Sequence, residues 1–285
     1  MHESQVKLSR RGRAVTFALL ALVFLFAPVR QADAQVSVSV SGNTAVAQIN
    51  LAGGYGADFT LTFQNAQNLS PASLGVSATV VNPADATLLA RLPSGANPTI
   101  PTAFPVMISV SPPALGGLAF TNGVAVEIHT HNLVFTQNSP FRIYKAPAGG
   151  RFYDITSDVA SGSVRTRGTT GGFSDFLILV DTAAYADGAE DKFDYLAART
   201  DTNAVSGAAR ATLLADLGSS RAAYDQGDYT LARTRLDTFR AHVAAYAGNG
   251  VPNAWRAARD LDNVAGDLLA ESASLQFSLT RLASQ

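Results

Sequence analysis

The sequence predicts an all-β immunoglobulin-like sandwich followed by a small all-α domain, a helical hairpin or bundle. Three observations carry this expectation. Apolar and polar residues alternate from Gln35 to about Asp181, glycine-containing turns punctuate that stretch, and the apolar period lengthens beyond Ala186. Alternation buries one side of a strand, whereas steps of three and four lay apolar residues along one side of a helix.

Residues 1–34 read as a leader. Lys7, Arg10, Arg11 and Arg13 precede the apolar run "AVTFALLALVFLFAPV" (Ala14–Val29), and Ala32-Asp33-Ala34 offers a small-residue cleavage site before Gln35. The run has 16 residues and ends at Pro28 and Arg30, whereas a membrane-spanning helix needs about 20. A cleaved secretory signal peptide is therefore expected, with no membrane span afterwards and a periplasmic or extracellular product. Removing the leader takes 5 of 21 basic and 2 of 22 acidic residues, leaving 16 against 20. That balance lacks the clustered basic face that nucleic acid requires. The chain has no cysteine, which excludes disulfides, thiolate metal sites and thiol nucleophiles.

Residues 35–184 form the expected sandwich domain. Val36, Val38 and Val40 share one face, as do Phe59, Leu61 and Phe63, and again Val106, Ile108 and Val110. Gly42-Asn43, Gly53-Gly54 and Asn122-Gly123 are turn signals, the last placing a hairpin within Leu115–Leu133. Residues 185–205 read as a linker with a first helix, hinged at "YADGAEDKFD", and residues 206–285 as a helical module. There Tyr229, Ala232, Leu236, Phe239, Val243 and Tyr246 make one apolar seam, with Asp228 as N-cap and Gly248 and Gly250 as stops. Pro252 is expected to start a last helix carrying Trp255, Leu261, Ala265 and Leu268.

The run Ala208–Leu269, above all "AAYDQGDYTLARTRLDTFRAHVAAYAGNGV", resembles the FIMAH-type helical module at the C-terminus of many secreted bacterial proteins. The likeness rests on Gly227-Asp228-Tyr229, Ala232, Leu236, Phe239 and the Gly248/Gly250 turn. More loosely, "PFRIYKAPAGGRFYDITSDV" and "GGFSDFLILVDT" resemble sandwich domains of uncharacterised secreted bacterial proteins. These resemblances imply an exported accessory or binding module; they carry no catalytic residues and no cofactor.

Candidate chemistry is sparse. Glu127, His129 and His131 fall at i, i+2 and i+4, so a strand would put all three on one face, where two histidines can ligate one metal. Such a site still needs ligands from neighbouring strands, and a wet strand face opposite Val126 and Ile128 explains the same pattern. No Gly-x-Ser-x-Gly motif or calcium loop is present. For a ligand, Tyr144, Phe152 and Tyr153 cluster in sequence as an aromatic platform, and Trp255 is the only tryptophan. The expectation is an exported, non-enzymatic binding, adhesion or envelope-assembly protein whose partner is an extracellular or envelope protein or a glycan. The alternatives are a carbohydrate-binding or accessory module of an extracellular polysaccharide-acting system, and a metal-dependent enzyme at His129 and His131.

Overall fold

Strand β1 (Gln35–Ser41) turns at Gly42 into β2 (Thr44–Leu51), which pairs with β3 (Tyr55–Gln67). The computed structural model describes residues 35–93, 98–183 and 185–285, so the expected leader lies outside the described residues. Ala45, Ala47, Ile49 and Leu51 of β2 and Ala57, Phe59, Leu61 and Phe63 of β3 are buried at alternate positions, as the period of two requires. A short helix α1 (Pro71–Leu74), β4 (Val76–Val80), a second short helix α2 (Ala86–Leu89) and β5 (Val106–Val110) follow. Next come β6 (Ala119–Thr130), β7 (Phe141–Ala146), β8 (Tyr153–Asp154), β9 (Thr156–Ala160), β10 (Val164–Thr170) and β11 (Asp175–Val180).

The strands form two antiparallel sheets, ordered β1-β2-β3-β6-β10-β9 and β4-β5-β11-β7-β8. One apolar core draws on both: Phe59 of the first meets Phe176 of the second at a ring separation of 5.4 Å. The second sheet is buried on its other side too, where Tyr144, Leu177 and Leu179 pack with Leu88, Leu92, Ile100 and Phe152. Central strands with both faces covered lose the clean alternation, and "DFLILV" reads as a continuous apolar run for that reason.

Four long helices follow: α3 (Tyr185–Thr200), α4 (Gly207–Asp225), α5 (Tyr229–Tyr246) and α6 (Val264–Leu282), the last preceded by the two-residue strand β12 (Trp255–Arg256). Ala232, Leu236, Phe239 and Val243 are buried, and Asp228 caps α5 by accepting the Leu231 N–H at 2.9 Å. These side chains share a core with Phe193, Leu213, Leu217, Leu268, Leu275 and Leu279 from the other three helices. Helix α6 also packs on β6, β9 and β10. The described sheets and helices fall within one compact unit.

Three local expectations are corrected. The stretch "YADGAEDKFD" is not a hinge but the first part of α3. The last helix starts at Val264, not after Pro252; its N-cap is Asn263, and Leu261 outside it is 42% exposed. Asn122-Gly123 makes no hairpin, because β6 runs straight through it as one strand of 12 residues. Asn122 does take the positive φ of a turn residue, 62°, but spends it on a bulge where the register against β3 shifts. The bulge is a docking point. Asn253 accepts the Asn122 N–H at 2.8 Å and donates to its side-chain oxygen at 2.9 Å, while Asn263 donates to the Asn122 carbonyl at 2.6 Å. Backbones approach so closely here that a Cβ on Gly266 would stand 2.6 Å from that carbonyl, which only glycine accommodates.

Candidate functional site

The site begins at β7 and β8, whose register sets Tyr144 opposite Asp154 and Lys145 opposite Tyr153. Helix α3 brings Lys192 to Asp154: its ammonium donates to Asp154 Oδ2 at 2.7 Å, to Ser278 Oγ on α6 at 2.9 Å and to the Ser274 carbonyl at 3.4 Å. Lys192 is only 5% exposed, so its three N–H donors are all matched inside the protein. One side chain thus joins β8, α3 and α6. The Ser274 hydroxyl adds a bond to the Asp154 carbonyl at 3.2 Å.

These groups surround a cavity of about 190 Å3 between the second sheet and the helices. Tyr144, Phe152, Tyr153, Tyr185 and Tyr195 give it aromatic walls, and Tyr153 and Tyr195 stack with ring centres 5.4 Å apart. Tyr144 donates to Asp181 Oδ2 at 2.6 Å; burial, reinforced by the charges of Asp154 and Asp181, holds its phenol far above the usual range. Arg142 is consumed in holding the wall. It donates to the Ser139 and Phe141 carbonyls and to the Tyr185 hydroxyl, with its guanidinium 5.2 Å over the Tyr185 ring and 5.1 Å over that of Phe277.

Glu271 of α6 is the exception to this saturation. It lines the cavity, is 3% exposed, and its Oε2 has no hydrogen-bond partner among the described residues. Burial pushes its carboxyl up to about 8 against the opposing pull of Lys192, so at neutral pH it is mostly the protonated acid. A neutral carboxyl can donate one hydrogen bond and accept others, which leaves the cavity with unspent capacity among aromatic faces. The three aromatic residues singled out from the sequence meet here, but as buried or half-buried walls and not as an exposed platform. Lys192, Glu271 and Tyr195 had no local motif. Composition singles out only the lysine: beyond residue 34 the chain has just Lys145 and Lys192, whereas nothing in the sequence marks Glu271 or Tyr195.

Trp255 lies apart, on β12 and not at the start of a helix. It pairs with Phe120 of β6, its ring 5.1 Å from that of Phe120 and 5.2 Å from that of Phe173. It faces a second, wider cleft beyond the Tyr153–Tyr195 stack.

The histidine face is separate again. Val126, Ile128 and Thr130 are buried, while Glu127, His129 and His131 take the other side of β6. Glu127 does not join the histidines. It accepts from Arg165 Nη1 at 2.9 Å and Arg167 Nε at 2.6 Å; burial would raise its carboxyl, but the two guanidiniums hold it below the usual range. His129 and His131 touch edge to face at 4.7 Å, His131 bonds Ser163 at 2.6 Å, and His129 Nδ1 stands 3.8 Å from Asp58. His129 Nε2 is buried without a partner among the described residues. Among the described residues, no three His, Asp or Glu side chains converge as a metal ligand set, and no helix is long and apolar enough to cross a membrane.

No curated protein and no solved structure matches the chain. A family model matches residues 20–283, sheets and helices alike, and by that match the chain belongs to the family described as "Family of unknown function (DUF6689)".

Proposed function

We propose that the protein is an exported, non-enzymatic binding protein that seats a small ring-shaped ligand in the cavity between its second sheet and its helices. One observation carries the reading: Glu271 presents a carboxyl oxygen with no partner among the described residues, inside aromatic walls and beside the bonded Lys192–Asp154, Tyr144–Asp181 and Arg142–Tyr185 pairs. Burying such a group without a partner costs folding free energy, and recognition of a ligand is a function that offsets that cost. The volume sets the scale. An apolar cavity of about 150 Å3 holds benzene, so about 190 Å3 suits a single ring with polar substituents. Export rests on the leader-like residues 1–34, and the likeness of residues 208–269 to FIMAH-type modules of secreted proteins supports it. The immunoglobulin-like character expected of the strands belongs with this reading, as a frame that carries a binding surface.

A second reading, a carbohydrate-binding accessory protein, draws on the flat faces of Tyr153 and Tyr195 beside hydrogen-bonding groups. One experiment serves both. The purified protein is screened against a glycan array and against small cyclic polyols and aromatics by thermal shift, with Glu271→Leu as the paired variant. The expected result is saturable binding of at least one compound, weakened roughly tenfold or more in the variant. Equal binding by the variant, or none across the panel, defeats the reading.

A further inference from the structure

The cleft beyond the Tyr153–Tyr195 stack has a volume of about 670 Å3 and contains the other lysine. Lys145 is 5% exposed, as buried as Lys192, but its situation is the opposite. Its Nζ lies 5.8 Å over the Tyr153 ring and makes neither a hydrogen bond nor an ion pair with any described residue. Burial pulls its pKa below the usual lysine range; Asp267 and Glu271 oppose that pull from a distance, and Arg199 adds to it.

The acids that line the cleft are already engaged. Arg199 holds Asp267 at 2.8 Å and is bidentate to Asp262, and Arg256 is bidentate to Asp260. On the cationic side, Arg151 and Arg259 stand exposed at the rim, and neither pairs with a carboxylate of the described residues. Trp255 supplies a further donor: its Nε1 bonds no described residue, and a Cβ on Gly172 would stand 3.1 Å from it, so the glycine keeps space open beside it. The cleft therefore combines a largely buried lysine whose ammonium has no described partner, an indole N–H and two rim guanidiniums, with its acids held in ion pairs.

We propose that this cleft binds an oxyanion, the carboxylate or phosphate group of an acidic ligand, on Lys145 and Trp255 Nε1, with Arg151 and Arg259 drawing it in. A largely buried lysine without a counter-ion carries a desolvation cost, and an anion brought by the ligand supplies the charge-assisted bonds that the fold withholds. The inference is independent of what occupies the neighbouring cavity.

The protein contains its own reporter, because Trp255 is the only tryptophan. The purified protein is titrated with acetate, glucuronate and inorganic phosphate at constant ionic strength in chloride, reading Trp255 fluorescence. A saturable change is expected with at least one anion, and the preferred anion identifies the head group. Lys145→Met should weaken that anion roughly tenfold or more. The same variant should melt no lower than the parent in anion-free buffer, since a partnerless charge has been removed. As a second handle on exposed positions, Arg151→Ala combined with Arg259→Ala should weaken binding several-fold with an unchanged melting temperature. The proposal is overturned if none of the three anions gives a saturable response, or if Lys145→Met and the rim pair both bind with parental affinity. Binding in the Glu271 cavity, measured in parallel, is expected to survive Lys145→Met, so failure of one site is distinguishable from failure of the other.

Discussion

The histidine face of β6 and the Lys145–Lys192 region between sheet and helices both gather ionisable side chains, and they differ in who supplies the partners. On the histidine face Glu127 is met by Arg165 and Arg167 from the adjacent strand, exposed enough for water to assist. Between sheet and helices, Lys192 meets Asp154 across 38 positions of chain and Ser278 across 86, with the Lys192 and Asp154 side chains only 5% and 16% exposed. Exposed ion pairs contribute little because solvent screens them, whereas a buried pair broken on one side leaves a stranded charge. The same residue types are thus decoration in one region and structure in the other.

The largest effect that follows is at Lys192. Lys192→Met strands the Asp154 carboxylate and should cost about 3–5 kcal/mol in urea unfolding; adding Asp154→Asn should recover much of it. A loss below about 1 kcal/mol would place this pair in the same class as the surface pairs of β6. Next comes Glu271 and pH. In the folded chain its carboxyl holds a proton up to about pH 8, while an unfolded glutamate loses it at about 4.3. Between those values the folded state binds more protons, so this contribution is complete below the unfolded pKa and is lost as pH rises towards 8. The slope is at most about 1.4 kcal/mol per pH unit. Melting curves from pH 5 to 8 should show the decline in the parent and a flatter profile in Glu271→Gln; parallel profiles would mean that the carboxyl is not buried as described.

A smaller effect is expected at Asn263, which caps α6 through the Gly266 N–H and ties it to the Asn122 and Gly171 carbonyls. Asn263→Ala should cost about 2 kcal/mol in the same assay. Smallest is His131→Ala on the exposed face, expected within about 0.5 kcal/mol of the parent. Metal analysis of the purified protein sharpens the comparison from the other side. Substoichiometric metal is expected; a stoichiometric ion lost in His129→Ala would make the β6 face the chemical centre of the molecule.

What the residues disclosed in advance follows the range of the interactions. Strands β1, β3 and β5 were legible because their alternation is written in neighbouring residues, and α5 because its seam and its Asp228 cap are local. Asn122-Gly123 misled because the positive φ that suits a hairpin also suits a bulge, and the choice was made by Asn253 and Asn263 far along the chain. Helix α6 starts late because residues 255–256 are drawn into pairing with β6 and Asn263 offers the cap. The aromatic side chains of the cavity were visible as Tyr144, Phe152 and Tyr153, yet their burial depends on helices that no local pattern placed there. Glu271 was silent, and Lys192 was marked only by the scarcity of lysine. Each looks like an ordinary charged residue on a helix until the opposite wall arrives.

The Asn122 bulge has a consequence for how the chain reaches this state. Its amide and carbonyl wait for partners 131 and 141 positions downstream. Contacts of such separation form late, because the entropy of closing a long loop is spent before the contact returns anything. A nascent or refolding chain that stops short of Asn253 therefore holds its strands together with one flank uncovered, the kind of intermediate that pairs with its own copies. Docking of α6 ends that exposure and completes both proposed sites in the same event, since Glu271 and Ser278 line one and Asp267 the other.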